Sequence, residues 1–241
     1  MVAMILTPYL SELGYEEFDS VQVLNSISWR ETPDEILFIR PWDYWREIFE
    51  YLGCVEFAKS ELLKLNSEYN LGLVHDAAFR YHSASLIFFS QAVLDNIAGW
   101  LCSYKNITIH KSKIVFHKEL FKNKLCEEIP SFQPFFKKYE SLINDISNYR
   151  NEWIHRMIGG ADIYTDKRPD DPEAKFEVMI PIDPTVKKLK GEDYIKRVEE
   201  LNLEYGNWLY TLDEFTLKFG DGTKRFVLDC LEIIMVHEMN K

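Results

Sequence analysis

The feature that most constrains the fold is a helical spacing of apolar and small residues, sustained from Leu73 to about Tyr104. The residues at this spacing are Val74, Ala77, Ala78, Tyr81, Ala84, Ser85, Phe88, Ala92, Asp95 and Gly99. Apolar residues that recur every three or four positions place one stripe of an α-helix against a core. The spacing therefore predicts a long helix, and its small residues favour close approach of a neighbouring helix.

Similar spacing predicts further helices and indicates a mainly α fold. The first is predicted to start after Pro41 and to run to about Tyr69, and the second to run from about Phe116 to Leu125. The third follows Pro130 and Pro134 and runs to about Met157, and the last runs from Thr223 to about Met239. Gly159 and Gly160 are a helix stop. Residues 176–180 and 215–219 alternate apolar and polar side chains as strands do, which predicts a small β-hairpin. Residues 161–175 are predicted to be a polar loop, and residues 1–40 to be irregular.

Composition narrows the class of protein. Hydrophobic residues make up 46% of the chain, enough for a sizeable core, and the formal net charge is -11. A strongly acidic chain has no general attraction to nucleic acid or to an anionic membrane, so RNA would have to bind a local basic patch or a shared interface. The longest apolar stretch, Leu86–Trp100, is broken by polar residues such as Asp95 and Asn96. No membrane span and no targeting segment are therefore expected.

The spacing of the cysteines indicates the cellular compartment of the protein. Cys54, Cys102, Cys126 and Cys230 are widely spaced and include no Cys-x-x-Cys pair. Such cysteines are typical of reduced, mostly buried thiols. The sequence thus predicts a cytoplasmic protein.

The predicted helix that follows Pro130 carries a charge on its apolar stripe. The stripe runs through Phe136, Tyr139, Ile143, Ile146, Arg150, Trp153 and Met157. A buried guanidinium is costly unless it is paired or lies at a functional interface. We expect Arg150 to contact the helix at 73–104, with Asp95 as the leading partner and Gln91 as the next.

The same helix carries the sequence Arg150-Asn151-Glu152-Trp153-Ile154-His155. With 9 Arg, 12 Asn and 6 His in 241 residues, an Arg-Asn-x-x-x-His arrangement is expected by chance only about 0.01 times per chain. In an α-helix Asn151 and His155 lie one turn apart on one face, with Arg150 to the side. These three residues are the candidate site.

This motif resembles that of the HEPN superfamily, in which Arg is followed by a polar residue, often Asn, and then by His after three further residues. The resemblance covers roughly residues 41–241 and is strongest to stand-alone prokaryotic members. Residues 1–40 would be an N-terminal extension, and residues 161–220 an insertion outside the shared core. It implies an HEPN-like antiparallel helical bundle that acts as a metal-independent endoribonuclease or an RNA-binding protein. Such proteins are often homodimers and often belong to toxin–antitoxin or antiviral defence systems.

The chemistry of the three residues fits RNA cleavage that uses the ribose 2′-hydroxyl as nucleophile. His155, with a reference pKa of about 6.5, suits proton transfer near neutral pH. Arg150 suits binding of phosphate oxygens, and Asn151 can orient the imidazole or hold a phosphate. No cofactor and no metal are expected. The pairs His75/His82 and His110/His117 are seven residues apart, and two helical turns span about 10 Å, which is too far for one metal ion.

Other interpretations of the same residues remain open. Arg150 could pair with a buried carboxylate for structural reasons alone, and Asn151 and His155 could be ordinary polar residues near a helix end. The Lys-rich segment 105–124 could contact RNA or be a solvated helix face. The alternative function is a non-catalytic HEPN-like protein–protein interaction module, which the acidic charge favours.

The expected partners follow from these two functions. They are RNA, an antitoxin or other protein, and a second copy of the chain. We expect the motif helices of a homodimer to approach one another, because Arg150 and Trp153 lie on one stripe.

Overall fold

The structure, a computed structural model, describes residues 41–67, 73–154, 162–165 and 176–240. The α-helices are α1 (Pro41–Ser67), α2 (Leu73–Tyr104), α3 (Glu119–Glu128), α4 (Phe132–Tyr149), α5 (Gly191–Tyr205), α6 (Leu212–Thr216) and α7 (Gly222–Met239). The strands are β1 (Asp162–Thr165), β2 (Phe176–Pro181) and β3 (Leu209–Thr211). The mainly α fold class is therefore confirmed. Residues 1–40, predicted as an extension, lie outside the described residues.

Within the residues that the structure describes, four short helical segments are also present. Two are 3-10 helices, at Lys111–Lys113 and Val186–Lys188. Two are π-helical: the motif turn (Arg150–Ile154), which follows α4, and the second π turn (Leu217–Asp221), which joins α6 to α7. A π turn inserts an extra residue into the helical repeat, and such turns occur frequently at functional sites.

The chain divides into two compact units, each with its own core. The described part of unit 1 consists of residues 41–53, 92–143 and 223–240. The described part of unit 2 consists of residues 54–67, 73–91, 144–154, 162–165 and 176–222. The motif turn and the described residues of the predicted insertion, 161–220, therefore belong to the same unit.

The core of unit 1 contains a group of aromatic rings, here named the first ring cluster: Phe116, Phe121, Phe132, Phe135, Phe136, Tyr139 and Phe226. Phe226 of α7 contacts Phe116, Phe135 and Tyr139 with ring centroids 5.0, 4.8 and 5.1 Å away. Edge-on and tilted contacts of this kind suit the quadrupoles of the rings. Helix α7 can supply the central ring because its buried residues recur at steps of three and four, as predicted.

The core of unit 2 contains the second ring cluster: Tyr149, Trp153, Tyr210, Phe215 and Phe219. Phe215 and Phe219, both fully buried, lie 4.8 Å apart and each contacts Tyr149 at the end of α4. The cluster joins four segments, because Tyr149 belongs to α4, Trp153 to the motif turn, Tyr210 to β3 and Phe215 to α6.

The strand predicted at residues 215–219 is wrong, because these residues are helical. A strand would place positions 215, 217 and 219 on one face. Instead, Phe215 and Phe219 are fully buried while Leu217 is 56% exposed, as expected for residues four and two apart in a helix. A capping box between Thr211 and Glu214 starts helix α6 directly after β3.

The sheet also differs from the predicted hairpin. The predicted strand at 176–180 is confirmed as β2, but its partners are β1 and β3 in a three-stranded antiparallel sheet of order β1–β2–β3. Strand β1 lies within residues 161–175, which were expected to be a loop. In the register, Ile163 pairs with Val178, and Ile180 pairs with Tyr210.

Helix α5 was not predicted, although its ends carry recognisable signals. Glu192 and Asp193 lie in its first turn, where negative charge is favoured. Gly206 ends it with a φ of 78°, a left-handed conformation that glycine adopts without strain. Its buried Leu201 packs with Ile182 and Val186, so α5 covers the segment that follows β2.

Helix α2 contains a described segment, Ala77–Tyr104, that is long and apolar enough by composition to cross a membrane, with a mean hydropathy of 1.3. Yet 61% of the apolar window is buried within the structure, as in the core helix of a soluble protein. The cysteines are free, with Cys102 and Cys230 buried and the other two half-buried. A cytoplasmic location stays a prediction.

Candidate functional site

The structure places Arg150 and Asn151 on the motif turn. The helical stripe of α4 ends at the fully buried Tyr149, and the chain continues as the π turn Arg150–Ile154. Arg150 is half-buried, Asn151 is exposed, and Glu152 and Trp153 are buried. His155 lies outside the described residues. The turn therefore presents two of the three motif residues to solvent, at least in part, and turns Glu152 and Trp153 inward.

Tyr149 holds the start of the motif turn through its hydroxyl group. The hydroxyl donates to the backbone carbonyl of Pro181 at the end of β2, and it lies 3.2 Å from the carbonyl oxygen of Ile182. Burial raises the pKa of Tyr149 well above its ordinary value, since the phenolate would lose its hydration. The phenol thus remains a neutral donor, and it joins α4 to the segment after β2.

Trp153 faces the core of unit 2 rather than solvent. It is 7% exposed, stacks on Phe215 with centroids 5.7 Å apart, and meets the edge of Tyr149 at 5.0 Å. The predicted homodimer invoked Trp153 as a contact residue across motif helices. The dimer stays a prediction, but the indole ring is already packed within its own chain.

Glu152 is the buried charge of the motif turn. It is 8% exposed, and its carboxylate forms an ion pair with Lys188 Nζ of the 3-10 helix after β2. Removing a carboxylate from water is costly unless it gains such a partner. Sequence analysis singled out Arg150 instead, because an α-helical repeat places position 150 on the apolar stripe. The extra residue of the π turn changes which side chains point inward, and no pattern in the sequence signals that change.

Asp183 stabilises the segment 181–188, which contacts both Tyr149 and Glu152. Its carboxylate accepts hydrogen bonds from the backbone N–H of Thr185 at 2.8 Å, the hydroxyl of Thr185 at 2.6 Å and Nε of Arg197 at 2.9 Å. Burial alone would raise the pKa of Asp183, but these hydrogen bonds and the charge of Arg197 outweigh burial and lower it. The segment 181–188 is therefore a fixed support for the motif turn.

A second set of polar side chains meets at Asp145, one helical turn before Tyr149. Lys218 Nζ of the second π turn lies 2.5 Å from Asp145 Oδ2 of α4 and 2.6 Å from the Tyr210 hydroxyl of β3. Burial would lower the pKa of Lys218, but the hydrogen bond and charge of Asp145 raise it above its ordinary value. The ammonium also lies 5.1 Å from the ring centre of Tyr210. This group joins α4, β3 and the second π turn.

The predicted partners of Arg150 are both at least partly buried. Gln91 is 8% exposed and Asp95 is half-buried. Their pairing with Arg150 stays a prediction. Among the residues that the structure describes, no group of three or more His, Cys, Asp or Glu side chains is arranged to hold a metal ion.

The chain was compared with models of known protein families, with curated protein sequences and with solved structures, and none of the three comparisons finds a match. The site must therefore be interpreted from its own residues and geometry.

Proposed function

We propose that this protein is a metal-independent endoribonuclease of the HEPN type, with Arg150, Asn151 and His155 around one phosphate of single-stranded RNA. The observation that carries the proposal is the motif's position on a π turn that exposes Asn151, half-exposes Arg150 and is fixed from behind by Tyr149, Glu152 and Trp153. A rigid support of this kind is what a catalytic group needs to hold its geometry.

The spacing of the motif suits a π turn. In a regular α-helix, residues five apart are separated by about 140° around the axis. In a turn closed by i→i+5 hydrogen bonds, residues five apart have the relation that residues four apart have in an α-helix. Such a turn favours placing an Arg and a His with four residues between them on one face. The position of His155 itself is part of the proposal.

In the proposed reaction the ribose 2′-oxygen attacks phosphorus and the bond to the 5′-oxygen breaks. Either His155 takes the proton of the 2′-hydroxyl while water protonates the leaving 5′-oxygen, or His155 protonates the 5′-oxygen while water takes the proton of the 2′-hydroxyl. Arg150 stabilises the negative charge that builds on the phosphate, and Asn151 orients the imidazole. The products are a 2′,3′-cyclic phosphate and a 5′-hydroxyl.

The test is incubation of the full chain with mixed cellular RNA in excess EDTA. We expect His155→Ala and Arg150→Ala each to lower the cleavage rate about 100-fold or more, since removal of an acid–base group or of one charge-stabilising donor has this effect. The matched controls are His110→Ala and Arg46→Ala, whose side chains lie in exposed positions outside the motif. The 3′ ends should resist phosphatase until acid opens the cyclic phosphate.

Three outcomes would contradict the proposal in different ways. Equal background cleavage by wild type and His155→Ala would exclude the enzyme and favour the protein–protein interaction module. RNA binding that depends on Arg150 without cleavage would leave an RNA-binding protein. Cleavage only with an added divalent metal would exclude the metal-independent mechanism.

A further inference from the structure

A lysine-rich segment of unit 2 lies directly beside the motif turn. Lys187 and Lys188 end the 3-10 helix that follows β2, and Lys190 comes two residues later. The ammonium of Lys188 pairs with Glu152, which is the residue next to Asn151 in the motif turn. This ion pair therefore brings the three lysines next to the candidate site.

The 3-10 helix is anchored by its apolar residue, which leaves the neighbouring lysines at the surface. Val186 is fully buried and packs with Ile182 and Leu201. Lys187, in contrast, is half-buried, and Lys190 is exposed. The chain from Lys187 to Lys190 spans at most about 11 Å, so both ammonium groups can reach one strand of nucleic acid.

Two carboxylates near these lysines are already paired. Asp183 accepts a hydrogen bond from Nε of Arg197 at 2.9 Å, and Glu152 pairs with Lys188. Residues 184–190 contain three lysines and no carboxylate. In a chain of net charge -11, such a segment is a local basic patch of the kind that RNA binding requires.

We propose that Lys187 and Lys190 bind phosphates of the RNA strand beside the phosphate held by the motif, and that Lys188 fixes them there through Glu152. This inference rests on the proposed ribonuclease function, because it assigns further substrate contacts to the same site. A lysine ammonium binds phosphate as a point charge and does not read the bases. The two contacts should therefore strengthen the binding of every RNA sequence to the same extent.

The charges that follow the lysines give the strand a direction. Glu192 and Asp193 lie in the first turn of α5, and both are exposed. Their negative charge repels phosphate. An RNA strand that contacts Lys187 and Lys190 therefore runs towards the motif turn rather than along α5.

A second lysine-bearing 3-10 helix provides a matched comparison. Lys111 and Lys113 also lie on a 3-10 helix of three residues, and both are exposed. This helix belongs to unit 1, whereas the motif turn belongs to unit 2. The two pairs of lysines separate the effect of position beside the motif turn from the effect of positive charge alone.

The test is fluorescence anisotropy of the full chain with a labelled single-stranded RNA oligonucleotide in excess EDTA. Every 2′-hydroxyl of the probe is methylated, so it lacks the nucleophile of the proposed reaction and reports binding without cleavage. We expect Lys187→Gln/Lys190→Gln to raise the dissociation constant about tenfold at low salt. The slope of log affinity against log salt concentration should fall in magnitude by about 1.4, since each phosphate contact with a single strand contributes about 0.7.

Two further double variants keep the result from depending on misfolding. Lys187→Arg/Lys190→Arg keeps both charges and should bind as wild type does. Glu192→Gln/Asp193→Asn should lower the dissociation constant, because it removes the repulsion beside the lysines. Circular dichroism and urea midpoints establish that each variant is folded.

The inference would be overturned if Lys187→Gln/Lys190→Gln bound as tightly as wild type, or if Lys111→Gln/Lys113→Gln lost as much affinity. In either case, RNA cleavage that requires His155 would leave the ribonuclease proposal standing. Binding that depends on Lys187 and Lys190, in a chain that cleaves no unmodified RNA, would support the phosphate contacts and overturn the ribonuclease instead. A wild-type chain that does not bind the probe at low salt would overturn the inference outright.

Discussion

The two ring clusters have similar packing but different chemistry. In the first ring cluster, Phe226 meets its neighbours at centroid distances of 4.8 to 5.1 Å, and the one phenol, Tyr139, donates to Asp229 at 2.7 Å. In the second, Phe215 and Phe219 are equally close at 4.8 Å. There, however, Tyr149 bonds to backbone carbonyls in the fully buried interior, and Glu152 and Lys188 form an ion pair beside it.

Because of this difference, the two ring clusters contribute differently to the stability of their units and to the orientation of the motif turn. Rings alone stabilise a fold through burial and tolerate small shifts, because dispersion contacts have little directionality. Hydrogen bonds and ion pairs in the interior require particular geometry and are costly when they are broken. The first cluster therefore serves mainly to hold its unit together, whereas the second also fixes the orientation of the motif turn.

The largest effect is expected from Phe226→Ala in the first ring cluster. Removing a fully buried Phe that contacts three rings should lower the free energy of unfolding by about 3–5 kcal/mol, measured by urea denaturation. The exposed Leu203→Ala should change it by less than about 0.5 kcal/mol. Under conditions where Phe226→Ala is still folded, its RNA cleavage per molecule should equal wild type. A selective loss of cleavage would mean that the two clusters are not functionally distinct.

A smaller loss is expected from Glu152→Gln in the motif turn. The change keeps the shape but removes the charge that Lys188 pairs with, which should lower the free energy of unfolding by about 2–3 kcal/mol because both groups are mostly buried. Glu127→Gln, which alters the exposed pair with Lys124, should leave the urea midpoint unchanged. If Glu152→Gln and Glu127→Gln change the free energy of unfolding equally, the buried pair of Glu152 and Lys188 stabilises the protein no more than the exposed pair does.

The two phenols offer the most direct comparison. Tyr149→Phe should cost about 1–2 kcal/mol, since it removes the hydroxyl donor to the backbone of Pro181 and Ile182. Tyr139→Phe should cost less, because Asp229 keeps its ion pair with Lys138. Thermal unfolding of the two variants side by side measures the difference. A larger loss for Tyr139→Phe would reverse the assignment of the positioning role to the second cluster.

The smallest effect is a pH dependence at the support of the motif turn. The pKa of Asp183 is lowered from an ordinary value of 3.8, so its stabilisation is fully present above that value and is lost as the pH falls through the lower folded pKa. Asp183→Asn should therefore be less stable than wild type by about 1 kcal/mol at neutral pH. The gap should close in acid below the ordinary pKa. A gap that is independent of pH would show that the charge of Asp183 is not its source.

The sequence was informative where helical periodicity was long and regular. Helices α1, α2 and α7 begin and end within about two residues of their predicted limits, because their apolar stripes extend over several turns. The strand at 215–219 failed because an apolar residue at every second position over five residues also fits a helix with one exposed Leu. Helix α5 was missed although Gly206 and the acidic first turn marked its ends.

The candidate site was predictable only in part. The motif gave Arg150 and Asn151 directly, and both lie at least partly open to solvent. Glu152, Lys188 and Pro181 could not be found, because their contacts depend on a π turn and on a segment about thirty residues further along the chain. A π turn results from tertiary packing rather than from local propensity.

The bond from Tyr149 to Pro181 and Ile182 has an evolutionary consequence. Both acceptors are main-chain carbonyls, which every amino acid supplies. Positions 181 and 182 can therefore exchange side chains of suitable size while the bond persists, whereas position 149 cannot lose its hydroxyl. Among diverging descendants of this chain, we therefore expect tyrosine to be retained at position 149, beside the motif, while the residues at positions 181 and 182 vary.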